Sequence, residues 1–242
     1  MGEYFDDSGH EDYFEQLELE KNERKRWILE HLEIYNKGQR QRINLHLGFF
    51  RKQINVIADF LSIEHQSEGL KLSDSNSIFS KTEVLYYNQY DIPMGMHYNA
   101  YLISLFSFWD FQLKRYSSIL RYVVYRKNYL NDLQGKDNMS KCYYLIKNSL
   151  GIDVAKIDSE WNKLRNYQNV RNLIVHYDSN TKKAKKNSSR IVTSNQYLTY
   201  NETTGHFYIN DRKLLLKFCD TINDFFRKLI NQSYNCADVN TS

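Results

Sequence analysis

The chain has 242 residues, a net charge of +4, and 41% hydrophobic side chains that include 20 tyrosines. This length and apolar content can bury a substantial core and exclude a disordered chain. The charge is too small to demand or to exclude a nucleic-acid partner. One proline and nine glycines indicate long helices with few breaks. Since no uninterrupted apolar run approaches 18 residues, we expect no membrane span and no membrane partner.

In the first third of the chain, the sequence predicts an acidic arm over residues 1–11. A helical hairpin with the loop that follows it is predicted over residues 12–81. Helical spacing of apolar residues extends to Asn36 and resumes at Gln39, so Gly38 marks the expected turn between two antiparallel helices. The second helix carries an apolar seam that could pack within the chain or across a dimer. The seam consists of Ile43, Leu47, Phe50, Ile54, Ile57 and Leu61.

The spacing of apolar residues predicts a second, mainly helical domain over residues 82–235. A short helix ends before Pro93, and Asp158 is the expected N-cap of a later helix. Asp110 is a carboxylate inside the longest apolar helix, where it needs a partner if it is buried. The other expected elements are helices over residues 96–128, 139–150 and 211–232, a β-hairpin with strands at 197–200 and 207–209, and a loose tail after Asn235.

The helix that starts near Asp158 ends in the stretch Arg171-Asn172-Leu173-Ile174-Val175-His176. Asn172 and His176 are four residues apart and therefore share a helix face. The long side chain of Arg171 must reach around the helix to meet them. An arginine can hold a phosphate with two donors, an amide can orient it, and a histidine can move protons near neutral pH. This combination suits the cleavage of a phosphodiester.

The stretch resembles the Arg-polar-x3-His signature of the HEPN superfamily, a group of small all-α domains. The resemblance covers about residues 94–232 and extends to the order of the elements. It implies an antiparallel helical bundle in which Arg171, Asn172 and His176 are catalytic. It also implies that Asp110 supports the site by pairing with Arg171 or Arg165, or by orienting His176.

Many members of that superfamily are metal-independent ribonucleases of toxin–antitoxin, abortive-infection and antiviral systems. The resemblance therefore implies an endoribonuclease that leaves a 2′,3′-cyclic phosphate, acts as a bacterial toxin or anti-phage effector, and forms a homodimer. An antitoxin or another regulatory partner is a further expectation. Alternatives are a non-catalytic module that binds RNA or protein, and a structural helical protein that works through its N-terminal seam.

Looser matches of arginine and histidine also occur in the first third of the chain, as Arg24 or Arg26 before His31 and as Arg40 before His46. Among the arginines at this spacing before a histidine, only Arg171 is followed by asparagine, which separates it from these decoys. A plain alternative for the stretch is a capped helix end with polar surface groups.

A basic segment follows the motif and contains no acidic residue. It is typical of a solvated loop, but beside a phosphate-cleaving motif it predicts an RNA contact. Its basic residues are Lys182, Lys183, Lys185, Lys186 and Arg190.

The cysteines are far apart in sequence and form no CxxC pair. This spacing indicates neither a zinc site nor a disulfide framework, and it fits a reduced cytoplasm. The chain contains no P-loop and no HExxH motif. We therefore expect a cytoplasmic protein that uses no metal and no other cofactor.

Overall fold

The structure is a computed structural model that describes residues 8–73, 92–125, 137–148, 150–184 and 188–238. Most of these residues are helical, so the predicted all-α class is confirmed. The helices are α1 (Ser8–Ser73), α2 (Ile92–Tyr125), α3 (Asn138–Asn148), α4 (Asp158–Tyr177), α5 (Ser188–Thr193) and α6 (Lys213–Ser233). Two short strands, β1 (Leu198–Tyr200) and β2 (Phe207–Ile209), pair antiparallel, and 3-10 turns lie at Val154–Lys156, Thr181–Lys183 and Tyr234–Asp238.

The chain divides into two compact units. The first comprises Met1–Gln41, Gln112–Lys156 and Arg227–Ser242, and the second comprises Arg42–Phe111 and Ile157–Phe226. The long helices α1, α2 and α6 each contribute residues to both units. Of the two predicted domain boundaries, the one after residue 11 falls inside α1, and the one between residues 81 and 82 lies outside the described residues.

A buried polar network crosses the core of the first unit. Asn36 donates a hydrogen bond from Nδ2 to Ser233 Oγ (3.0 Å), and the Tyr116 hydroxyl donates to Asn36 Oδ1. Gln39 donates from Nε2 to Gln112 Oε1 (3.2 Å). Burial raises the pKa of Tyr116 well above its ordinary value, so its hydroxyl stays neutral. The network links α1, α2 and α6 through groups that satisfy one another.

The predicted N-terminal hairpin is wrong, because α1 is continuous through Gly38. The buried side of α1 also continues across this point, with Asn36 and Gln39 both buried and hydrogen-bonded. A single glycine inside a helix costs only about 1 kcal/mol relative to alanine, which the packing on either side offsets. The predicted seam is the inward side of this helix: Ile43, Leu47 and Ile54 are buried, and Phe50, Ile57 and Leu61 are partly buried.

Aromatic side chains fill the core of the second unit. The ring of Trp109 on α2 meets those of Trp161 on α4 and Phe225 on α6, with centroids 5.9 and 6.3 Å away. Tyr167 on α4 stacks on Phe218 of α6 at 4.2 Å. Trp161 of α4 also meets Phe225 of α6 at 5.9 Å, so the earlier residue of α4 contacts the later residue of α6. These helices therefore run antiparallel, as expected for a bundle.

The predicted β-hairpin is confirmed, and β2 packs closely against the start of α2. Leu198 pairs with Ile209 and Tyr200 with Phe207. A Cβ atom added to Gly95 would lie 2.8 Å from Tyr208 Cβ, which is closer than two such carbons approach. Glycine at this position is therefore what allows the hairpin to contact α2.

Other local predictions are wrong at the ends of elements. Pro93 itself lies in the first turn of α2, where its missing N–H costs no hydrogen bond, and the residues of the helix predicted before it lie outside the described part of the chain. Asp158 is the first residue of α4, and the cap is Ile157, which is fully buried and fixes the helix start by packing. The tail is packed as far as Asp238, since Cys236 and Ala237 are buried. The loop predicted over 64–81 is wrong for residues 64–73, which continue α1. Residues 74–81 and the short helix predicted over 82–90 lie outside the described residues.

Candidate active site

Helix α4 carries the motif in its last two turns. Its start is stabilised by Asp158 and Glu160, acidic residues in the first turn where the helix dipole is positive. Its inward side is apolar, with Leu164, Val170 and Leu173 buried. The motif residues Arg171 and Asn172 are partly buried, and His176 is exposed. The outward surface of α4 therefore carries the polar groups.

Arg171 does reach around the helix to Asn172, as its length predicts. Its Nη1 donates to Asn172 Oδ1 at 3.1 Å, and its guanidinium lies 5.6 Å from the centroid of the Phe106 ring on α2. Its Nε is buried and has no hydrogen-bond acceptor among the described residues. A buried donor without an acceptor costs about 1–3 kcal/mol, and in this conformation the atom is closed to an external ligand.

His176 occupies the last turn of α4, next to Tyr177, whose ring it meets edge-on at 6.5 Å. Among the described residues no hydrogen bond holds its imidazole. The ring is therefore accessible and can turn toward a substrate. Its place on the helix puts it one turn beyond Asn172 on the same face, so the head of Arg171 and the imidazole approach one side of α4.

The turn after His176 is fixed by unusual backbone geometry. Asp178 and Ser179 both have positive φ, 52° and 54°, which costs about 1–2 kcal/mol for each non-glycine residue. Ser179 N donates to Leu173 O (3.1 Å), and Phe207 N donates to Ser179 O (2.9 Å). Asn99 of α2 also donates from Nδ2 to Ser179 Oγ at 3.3 Å. The end of the motif helix is thereby attached to β2 and to α2.

One polar face of α4 extends beyond the motif. Arg165, Asn169, Asn172 and His176 follow spacings of four, three and four, which places them on one side of a helix. All are exposed except Asn172, which is partly buried. Arg165 makes no ion pair or hydrogen bond within the described part of the chain, and it lies about 16 Å along the axis from His176. Asn169 was missed by the sequence prediction, although this spacing could have identified it.

Asp110 lies on α2, where it is partly buried and has an interaction partner. Its predicted support of Arg171, Arg165 or His176 stays a prediction. Because Asn99 contacts Ser179 and Phe106 contacts Arg171, α2 and α4 run antiparallel. Asp110 is one turn past Phe106 and is therefore level with residues before the motif, while Phe106 occupies the place beside the guanidinium.

The structure separates the residues of the predicted basic segment. Lys182 donates from Nζ to the carbonyl oxygen of Thr203 at 2.6 Å, so it braces the hairpin turn. Lys183 is exposed in the same 3-10 turn, and Arg190 is exposed on α5. Lys185 and Lys186 lie outside the described residues. Of the predicted set, Lys183 and Arg190 therefore present side chains without a partner in the described part of the chain.

The cysteines are poor candidates for catalysis. Cys142, Cys219 and Cys236 are buried and form no disulfide. Burial raises the pKa of Cys219 and of Cys236 to about 12, so their thiols stay protonated at neutral pH. Across the described ranges, no group of three or more His, Cys, Asp or Glu side chains is placed to hold a metal ion. None of the described helices combines the length and the apolar character needed to span a membrane.

Comparison of the chain with protein-family models, with curated proteins and with solved structures finds no match.

Proposed function

We propose that this protein is a metal-independent endoribonuclease of the HEPN type. The observation that carries the proposal is the joining of Arg171 and Asn172 by a hydrogen bond one turn before an exposed His176. A guanidinium, an amide and an imidazole on one helix face are the groups that in-line cleavage of RNA requires. The all-α architecture and the resemblance of the motif support the same function.

In the proposed reaction, the 2′-hydroxyl of RNA attacks the adjacent phosphorus, and the bond to the 5′-oxygen of the next nucleotide breaks. The products are a 2′,3′-cyclic phosphate and a free 5′-hydroxyl. His176 takes a proton from the 2′-hydroxyl or gives one to the leaving oxygen. Arg171 holds the non-bridging oxygens as their charge grows. Asn172 positions the arginine.

The polar face of α4 gives the RNA strand its path in this proposal. Arg165 is too far from His176 to hold the reacting phosphate, so it contacts another phosphate of the same strand. Lys183, with Lys185 and Lys186 of the same segment, adds electrostatic affinity without sequence preference. The resemblance further suggests a toxin or an anti-phage effector, which a regulatory partner would hold inactive.

We also propose a homodimer. Leu45, Phe49, Val56 and Phe60 on α1 are 72%, 60%, 53% and 56% exposed, and they lie within about 60° of one another around the helix. Their spacing of four, seven and four reads the same in both directions. Two antiparallel α1 helices would therefore place Leu45 against the partner's Phe60 and Phe49 against the partner's Val56, which is a self-complementary contact.

The area of this stripe indicates a concentration-dependent dimer. Four large side chains that are more than half exposed offer about 400 Å² per copy, compared with about 800 Å² per partner in an interface of standard size. The flanking polar residues of α1 would supply part of the remainder. The resemblance implies in addition that the motif helices of the two copies face each other.

Substitution of the motif tests the catalytic assignment. We expect Arg171→Ala and His176→Ala each to lower RNA cleavage by about 100-fold or more, the typical contribution of a positioned acid–base group. The matched controls are Arg26→Ala and His31→Ala. Arg26 lies 4.0 Å from Glu30, and His31 stacks on Trp27, both within α1.

The controls should keep full cleavage, and all four variants should keep the helical circular dichroism of the wild type. Equal loss of cleavage in the two pairs would rule out the assignment. Binding of RNA by the wild type without any cleavage would favour the non-catalytic module instead.

A further inference from the structure

A groove lies on the other side of α4 from the motif. Its volume is about 720 Å³, within the range of about 300–1,000 Å³ that is typical of small-molecule sites. Lys163, Asn166, Tyr167 and Val170 of α4 line one wall, and α5 with the residues before β1 lines the other. The α4 wall is centred roughly 140° around the helix from the polar face that carries His176. The groove is therefore separate from the candidate active site.

The polar lining of the groove favours an anion. Lys163 and Arg190 line it from opposite walls, and no acidic residue is among its lining residues. Both side chains are exposed, and neither pairs with a carboxylate in the part of the chain that the structure describes. A lysine and an arginine that line one groove without a counter-charge suit a phosphate, which each can bind through charge-assisted hydrogen bonds.

The groove also contains aromatic rings. Tyr167 is held by its stack on Phe218 at 4.2 Å, so its position in the wall is fixed. Tyr197 lines the opposite wall, and the Nζ of Lys217 lies 4.8 Å from its ring centroid. The hydrogen bond from Lys217 lowers the pKa of Tyr197, and the charge of Lys217 adds positive potential beside the groove. Asn166 and Gln196 supply exposed amides that can bond to the edge of a base.

We propose that this groove binds one phosphorylated nucleoside unit. Its phosphate lies between Lys163 and Arg190, and its base stacks on the ring of Tyr197. The unit is either a free nucleotide or one nucleotide of an RNA strand, and these two sources share the same chemistry. This site does not depend on the proposed ribonuclease activity, because no residue of the motif contributes to it.

Calorimetric titration of the full chain with ATP, and separately with a short 2′-O-methyl oligoribonucleotide, tests the site. The 2′-O-methyl group removes the nucleophile, so cleavage cannot complicate binding. We expect Arg190→Gln and Lys163→Gln each to weaken binding by about tenfold, the value of one charge-assisted hydrogen bond. Tyr197→Leu should weaken it by at least about fivefold, while Tyr197→Phe keeps the stack and stays within about twofold of wild type.

The charge-matched controls are Arg115→Gln and Lys52→Gln, which remove exposed cations outside the groove. Binding of ATP that the groove variants weaken and the controls do not would support a free nucleotide. The same pattern with the oligonucleotide alone would support an RNA strand as the source. The proposal is overturned if neither probe binds, if Arg190→Gln binds as tightly as wild type, or if pyrophosphate binds as tightly as ATP and shows no dependence on Tyr197.

Discussion

Asn172 holds the arginine of the motif, and this contact decides where the guanidinium lies. A sequence pattern locates Arg171, Asn172 and His176 because helix periodicity puts them on neighbouring faces. It cannot reveal that Arg171 rests over Phe106, or that its Nε is buried without an acceptor, because both follow from packing between α2 and α4.

Substitutions at Asn172 test this positioning. We expect Asn172→Ala to lower cleavage by about tenfold, because one hydrogen bond that orients Arg171 is lost. Asn172→Asp should lower it further, since a carboxylate would pair with the guanidinium and repel the phosphate. The comparison variant is Asn169→Asp, which adds the same charge one turn away on the proposed RNA path and should lower cleavage less than Asn172→Asp. Single-turnover cleavage measures all three, and full activity in Asn172→Asp would contradict the positioning role.

At the scale of elements, the sequence correctly predicts most helices and the β-hairpin, but it predicts poorly where helices end. The strands at 198–200 and 207–209 follow from alternating apolar residues around a glycine-containing turn. Gly38 was predicted to end a helix because glycine favours such ends. It lies instead inside α1, since buried side chains on both sides of it hold the helix together. Whether a glycine breaks a helix thus depends on tertiary contacts.

Two glycines should respond in opposite ways to the same substitution. Gly95→Ala should lower the free energy of unfolding by about 1–3 kcal/mol, because its Cβ would overlap the Cβ of Tyr208. Gly48→Ala should raise that free energy by about 0.5–1 kcal/mol, because Gly48 is exposed inside α1 and nothing lies within 4 Å of an added Cβ. Urea unfolding measures both. Stabilisation by Gly95→Ala would contradict the close contact between α2 and β2.

At the scale of the whole molecule, helix α1 has two apolar sides, one buried inside the chain and one exposed. Its predicted seam packs inside the chain, which leaves Leu45, Phe49, Val56 and Phe60 exposed on another side. The sequence alone could not distinguish these two sides, because both are apolar at helical spacing. The exposed stripe is the surface that the proposed dimer would use.

Sedimentation tests the dimer. We expect twice the monomer mass of 29.1 kDa at micromolar concentration. The double substitution of Phe49 and Phe60 by glutamine should shift the chain to monomer with little change in unfolding free energy, since both side chains are exposed. Asn55→Gln, an exposed polar change on α1, is the control. A monomer at every concentration would contradict the dimer.

If the copies share one active site, mixed Arg171→Ala and His176→Ala chains should regain activity that neither has alone.

The most direct test of the central claim is end-group analysis of RNA incubated with the purified chain in the presence of EDTA. The proposed mechanism predicts fragments that end in a 2′,3′-cyclic phosphate and begin with a free 5′-hydroxyl, because the nucleophile is the RNA's own 2′-hydroxyl and no metal is required. It also predicts that these fragments disappear with His176→Ala. Intact RNA after incubation with folded wild-type protein would contradict the claim, as would cleavage that persists unchanged in His176→Ala.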